Sequence, residues 1–211
     1  MTTLNLIEHH QAELQGFEVR AGDIGLFIAR DAWDALEREV EDYTKDGIMW
    51  DFIGDMPYAW ALQLGMAFDE ACEKWIEQPL YALDDSMREA MGERWCYDLN
   101  RSSMQNLQQS LRIGNQYETE LERLVKQAKP GLLEIARRAW IDDEDYVLNH
   151  MEEDSIKDGQ RVREQFYAAR NQLAPSLAKV ASELLLRSLQ LYRTALGGAQ
   201  ASVLREQQSA S

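Results

Sequence analysis

Apolar positions recur along most of this chain at intervals of three and four residues, the spacing that gathers them on one face of an α-helix. Leu4, Ile7 and Leu14 stripe a short first helix that Gly16 can end. The next stretch departs from that period. Phe17 and Val19 alternate with Glu18 and Arg20, Ala21-Gly22-Asp23 reads as a turn, and Ile24-Gly25-Leu26-Phe27-Ile28 follows. A small β-hairpin near residues 17–28 therefore competes there with continued helix. Asp31 is suited to cap a helix carrying Trp33, Leu36, Val40 and Tyr43, with Gly47 closing it. Asp55-Met56-Pro57 opens another, striped by Trp60, Leu64, Phe68, Ala71 and Trp75, widened by Tyr58, Leu62 and Met66, and expected to stop before Pro79.

No proline interrupts residues 86–128, where Gly114-Asn115 is the natural break between two helices if one helix does not span it. Pro130 starts a helix bearing Leu133, Ala136 and Trp140. After an acidic run broken by Asp158-Gly159, Val162, Phe166, Ala169 and Leu173 stripe a helix that Pro175 should stop. The last long helix, 176–196, sets Leu177, Ala181, Leu184, Ser188, Leu191 and Ala195 on one face. Leu185, Leu189, Tyr192 and Leu196 lie beside them, and Gly197-Gly198 follows. The pattern predicts an all-α fold: a single multi-helix domain over 1–198 with about seven to nine helices, and a flexible C-terminal tail over 199–211. Neither an internal repeat nor a low-complexity linker is visible.

Composition agrees with a packed domain. The 211 residues, 45% hydrophobic with six Trp, eight Tyr and five Phe, supply a core that needs neither disulfide nor metal. Cys72 and Cys96 have no CxxC spacing and read as inert, buried thiols of a reducing compartment. The first residues show no basic region followed by an apolar run. The most apolar stretch, 48–68, is broken by Asp51, Asp55, Pro57 and Gln63. A cytoplasmic location without membrane association is the expectation.

Charge changes the picture most. The chain carries −15, yet residues 159–211 hold seven basic residues against three acidic ones, leaving −19 on residues 1–158. Such a surface repels duplex phosphate and anionic lipid, so direct nucleic-acid binding is disfavoured. Residues 31–55 place nine acids against Arg38 and Lys45, and residues 142–154 hold seven acids with no Lys or Arg. Carboxylates fixed along a rigid helix can imitate the spacing of duplex phosphates and enter a basic groove. The expected partner-binding residues are Asp31, Asp34, Glu41, Asp42 and Asp46 in the first run, and Asp142, Asp143, Glu144, Asp145, Glu152 and Glu153 in the second. Trp50 joins them from the aromatic, Met-rich segment 48–58, which either covers the core or meets the partner. The wide Leu face of 177–196 is either core or the seam of a homo-oligomer.

Catalytic motifs are scarce. Only His9, His10 and His150 are present, with no ExxH, HExxH, GxxxxGK[ST], GxGxxG or GxSxG. His9 and His10 point to different sides of a helix, and the acids around His150 read as a solvated face or a weak cation site. Two paired-carboxylate spacings stand out, Glu39/Asp42 as ExxD and Glu70/Glu73 as ExxE. They resemble, in reversed order, the ExxE and later ExxD elements of the all-α nucleoside triphosphate pyrophosphohydrolases. That resemblance implies Mg²⁺ held between the four carboxylates for pyrophosphate chemistry. No cofactor is otherwise expected. The leading expectation is a non-enzymatic acidic helical adaptor or inhibitor that binds a basic protein surface. A Mg²⁺-dependent nucleotide hydrolase and a structural assembly component are the alternatives.

Overall fold

Helix begins at once. In the computed structural model, which describes residues 2–45, 56–98, 108, 109, 112 and 144–209 and most of their side chains, α1 spans Thr3–Val19. Thr2 caps it from an extended backbone, its Oγ1 accepting the Asn5 N–H at 3.3 Å. Only Arg20 separates α1 from α2, Ala21–Lys45, and the Ile24 N–H already bonds back to the Arg20 carbonyl at 2.9 Å. α3, Met56–Cys72, passes through a π-helical turn, Glu73–Glu77, into α4, Gln78–Met91, and a short 3₁₀ turn follows at Gly92–Arg94. α5 runs from Glu144 to Ser209. The helix expected to run from residue 86 toward 128 is instead broken after Met91, and the remainder of the helices expected up to 143 lies outside the described residues, apart from the helical positions 108, 109 and 112. Among the described residues no strand occurs, and no helix is long and apolar enough to cross a membrane.

The hairpin expected near residues 17–28 is therefore corrected to helix. A strand at 24–28 would turn Ile24, Leu26 and Ile28 to the same side. Instead Ile24 and Ile28 are buried, Leu26 is 58% exposed, and Val19 is 81% exposed. Burial at Ala21, Ile24, Ile28, Ala32 and Leu36 keeps the helical interval, so tertiary packing overrides the local alternation. Asp31 accordingly lies inside α2 rather than capping it, and Gly16 lies inside α1. The same competition erases three expected breaks in α5, which passes through Gly159, Pro175 and Gly197-Gly198. A helix-interior glycine costs about 1 kcal/mol and a proline about 3. Each buried Leu returns about 1.5–3 kcal/mol, and Leu177, Leu184, Leu185, Leu189 and Leu196 are all buried. Pro79 does not stop its helix either. A proline ring clashes with the carbonyl four residues earlier, and the widened Glu73–Glu77 turn opens the chain there, leaving Pro79 in the first turn of α4.

The chain divides into two compact units. Unit one comprises Met1–Ala29, Asp69–Gln108 and Pro175–Ser211; unit two comprises Arg30–Phe68 and Gln109–Ala174. The core of unit one is built from Ile7 and Leu14 of α1, Ile24 and Ile28 of α2, Ile76, Leu80, Met87 and Met91 around α4, and the Leu face of α5. Gly25 brings α2 close to α5: a Cβ there would sit 2.5 Å from the Ala178 carbonyl and collide with Ser182 Oγ. Described core residues of unit two include Ala32, Trp33, Leu36, Ala61, Leu64 and Phe68. Leu62 and Met66, expected to widen the α3 stripe, are 44% and 51% exposed and do not belong to it.

Candidate functional site

Two arrangements of polar side chains emerge, one at the centre of unit one and one in unit two. The first begins with His10. It falls at i+3 from Ile7 and i−4 from Leu14, on the apolar face of α1, and is 1% exposed. Its Nε2 meets Ser86 Oγ of α4 at 3.0 Å and its Nδ1 meets the Tyr192 hydroxyl of α5 at 3.2 Å. Burial above all, with the neighbouring His9, holds its pKa below the ordinary 6.5, although Glu13 pulls the other way. Tyr192 is itself wrapped by aromatic rings, Tyr97 edge-on at 4.8 Å and Trp95 at 5.4 Å between centroids. Burial, with the charge of Asp84, pushes the Tyr192 phenol pKa well up, so it stays a donor.

Asp84 anchors the other side of this centre. It is 3% exposed, accepting the Trp95 indole N–H at 2.6 Å and Arg88 Nε at 2.7 Å. Arg88 also donates to the Tyr97 carbonyl at 3.1 Å. The turn that delivers Trp95 and Tyr97 depends on Gly92, whose φ of +59° lies in the left-handed region and whose N–H closes α4 on the Arg88 carbonyl. Arg94 then grips both carboxylate oxygens of Glu206 in α5 at 2.7 Å.

A serine beside a histidine invites comparison with a nucleophile and its base. The hydrogen-bond directions argue otherwise. Ser86 Oγ donates to the Leu83 carbonyl at 2.9 Å, so His10 donates from Nε2 to Ser86 and accepts from Tyr192 at Nδ1. Every donor is then used, and the imidazole lone pair that would activate the serine is occupied by a phenol. The cluster is a satisfied structural network joining three helices.

In unit two, Arg170 of α5 reaches two carboxylates of α2, pairing with Asp34 at 2.5 Å and with Glu37, which also accepts the Tyr167 hydroxyl at 2.8 Å. Beside Tyr167 an open depression of about 370 Å³ is lined by the neutral Gln160 and by Arg163 and Glu164, which are of opposite charge. Of the residues expected to bind a partner, Asp34 is thus committed to an internal ion pair, and Asp31 lies beside Arg30 at 3.4 Å. Glu41 and Asp42 are on α2, and Glu144, Asp145, Glu152 and Glu153 are on α5, their side chains outside those described. Asp46, Trp50, Asp142 and Asp143 lie outside the described residues.

The expected metal pairs fall in different units, with Glu39 and Asp42 in unit two and Glu70 and Glu73 in unit one. Glu70 and Glu73 are exposed, one in the last turn of α3 and the other in the π-helical turn, while the Glu39 and Asp42 side chains lie outside those described. Among the described residues no group of three or more His, Cys, Asp or Glu side chains is placed to hold a metal ion. The two cysteines are free thiols. Cys72 is buried, its pKa raised by burial and by the nearby Asp69 and Glu77, whereas Cys96, expected to be buried, is exposed. Compared with protein-family models, curated proteins and solved structures, the chain matches none significantly.

Proposed function

We propose that the chain is a cytoplasmic, non-enzymatic interaction protein that presents carboxylates of unit two to a basic protein surface, as an adaptor or as an inhibitor that imitates nucleic-acid charge. One observation carries the reading: both acid runs, 31–55 and 142–154, belong to the same compact unit. Each contributes −7, whereas unit two as a whole carries −9, so its remaining residues are net positive. The negative charge is thereby segregated into two segments instead of diluted over the unit. Both segments include helix. α2 extends to Lys45 and α5 begins at Glu144, so Glu41, Asp42, Glu144, Asp145, Glu152 and Glu153 are spaced by the fixed rise of about 1.5 Å per residue. Asp145 and Glu152 are two turns apart, about 10 Å along the axis. Preset spacing spares a binding surface much of its ordering cost.

The test uses the full chain and a lysine- and arginine-rich peptide as probe. Substituting Glu144→Gln, Asp145→Asn, Glu152→Gln and Glu153→Gln together should weaken binding at low salt by about tenfold or more, each tenfold being about 1.4 kcal/mol. Raising ionic strength should weaken the wild-type complex steeply. The pair Glu70→Gln and Glu73→Gln in unit one serves as control. Binding insensitive to salt, or an equal loss in the control, would refute the reading.

A further inference from the structure

We propose that His10 is an acid-sensitive latch in unit one: protonation of its imidazole takes from the Tyr192 hydroxyl the acceptor that ties α1 to α5, and loosens α1 as pH falls. The argument starts from geometry. His10 is almost wholly buried, and it links α1 to two other helices through its two ring nitrogens, Ser86 at 3.0 Å and Tyr192 at 3.2 Å. The direction of the Ser86 bond to the Leu83 carbonyl makes Nε2 the protonated nitrogen and Nδ1 the acceptor. A second proton enters at Nδ1. It leaves the Nε2–H bond to Ser86 in place but removes the acceptor at Nδ1, so the Tyr192 O–H must turn away and loses its partner inside a ring of aromatic side chains.

The surrounding charges do not rescue the imidazolium. On α1 itself, His9 stands 6.0 Å away between ring centroids and opposes a second positive charge, while Glu13 favours it. From α5 comes Tyr192, whose phenol pKa is pushed up and which therefore offers no anion at neutral pH. From α4 comes the neutral Ser86. Asp84, also on α4, acts on Tyr192, and its carboxylate is already engaged by Arg88 and the Trp95 indole. From the segment after α4, Tyr97 packs on Tyr192. Desolvation is the largest influence on His10 and lowers its affinity for the proton. Because its folded pKa lies below 6.5, the unfolded or opened chain takes up the proton first. Stability from this site is complete above that value and is lost as pH falls toward the folded pKa.

Imidazole ¹⁵N NMR and amide hydrogen exchange on the full chain between pH 8 and pH 5 test the latch. At pH 7.5 His10 should be the neutral Nε2–H tautomer, and it should titrate below the ordinary histidine value of 6.5. Over the interval in which His10 titrates, exchange at the α1 amides, corrected for its intrinsic pH dependence, should accelerate several-fold. His9→Gln should keep that step and His10→Gln should abolish it. If His10→Gln fails to fold, the wild-type tautomer and the coincidence of the two titrations decide the matter. An Nδ1–H tautomer, titration of His10 at or above 6.5, protection in α1 that ignores the protonation of His10, or a step that survives in His10→Gln would each overturn the proposal.

Discussion

Gly25 illustrates how much can hang on one missing side chain. With Ser182 and the Ala178 carbonyl against it, Gly25→Ala must push α2 away from α5 within unit one. Overpacking of this kind costs about 1–3 kcal/mol, to be read as a lower urea midpoint at unchanged slope. Asp84 makes a second case. Asp84→Asn keeps one acceptor for Trp95 but exchanges the carboxylate that Arg88 binds for a neutral amide. We expect a loss of about 1.5–3 kcal/mol, the range for hydrogen bonds to charged groups. The two residues differ in how visible they are. Nothing around Gly25 in the chain distinguishes it from Gly16 or Gly22, which have open space beside them, because the close approach comes from residues more than 150 positions away. Asp84 carries a faint signal, an Arg four residues on. His10 is more legible than either, since the Ile7/Leu14 stripe passes through it.

Among the elements, helical content was readable and helix boundaries were not. Periodicity reports which face is buried, and that held for Ile7 and Leu14, for Trp33 and Leu36, and for Leu177 through Leu196. Within the last of these, Leu191 is 42% exposed, so the buried face is centred on the neighbouring row of Leu185, Leu189, Tyr192 and Leu196. Glycine and proline mislead because their cost is local, about 1–3 kcal/mol, while the burial that outweighs it is supplied by other helices. α5 beyond Gly197-Gly198 shows this: a polar, tail-like composition remains helical to Ser209, with Ala199 buried and Glu206 held by Arg94. The π-helical turn has no sequence signature except the proline two residues past it. Gly92 does act as its type suggests. Gly92→Ala forces an L-residue into the left-handed region and should cost about 1–3 kcal/mol, observable as a lower thermal midpoint.

For the molecule as a whole, charge distribution carries the functional argument. The sequence revealed an acid excess and its unevenness but could not show which acids are already answered. Arg170, on the basic side of the chain, neutralises Asp34 and Glu37 within unit two, and Arg193 binds Glu18 in unit one. Such pairs form between segments 130 or more residues apart, beyond any local pattern. Arg170→Ala should therefore act in opposite senses on two measurements. Stability should fall by up to about 1 kcal/mol, as befits a partly exposed ion pair. Affinity for a basic peptide should rise, because two carboxylates regain their full field; a fall in affinity, by titration calorimetry at low salt, would show that these acids are structural only.

The two thiols face opposite surroundings, and that asymmetry supplies a built-in reporter. Cys96 lies between buried Trp95 and Tyr97 on extended backbone, where alternate side chains face opposite ways, so it projects outward. Cys72 is sealed in the core with its thiolate disfavoured. A maleimide dye should attach once per native chain, and the rate of a second attachment would time the opening of unit one without an engineered label.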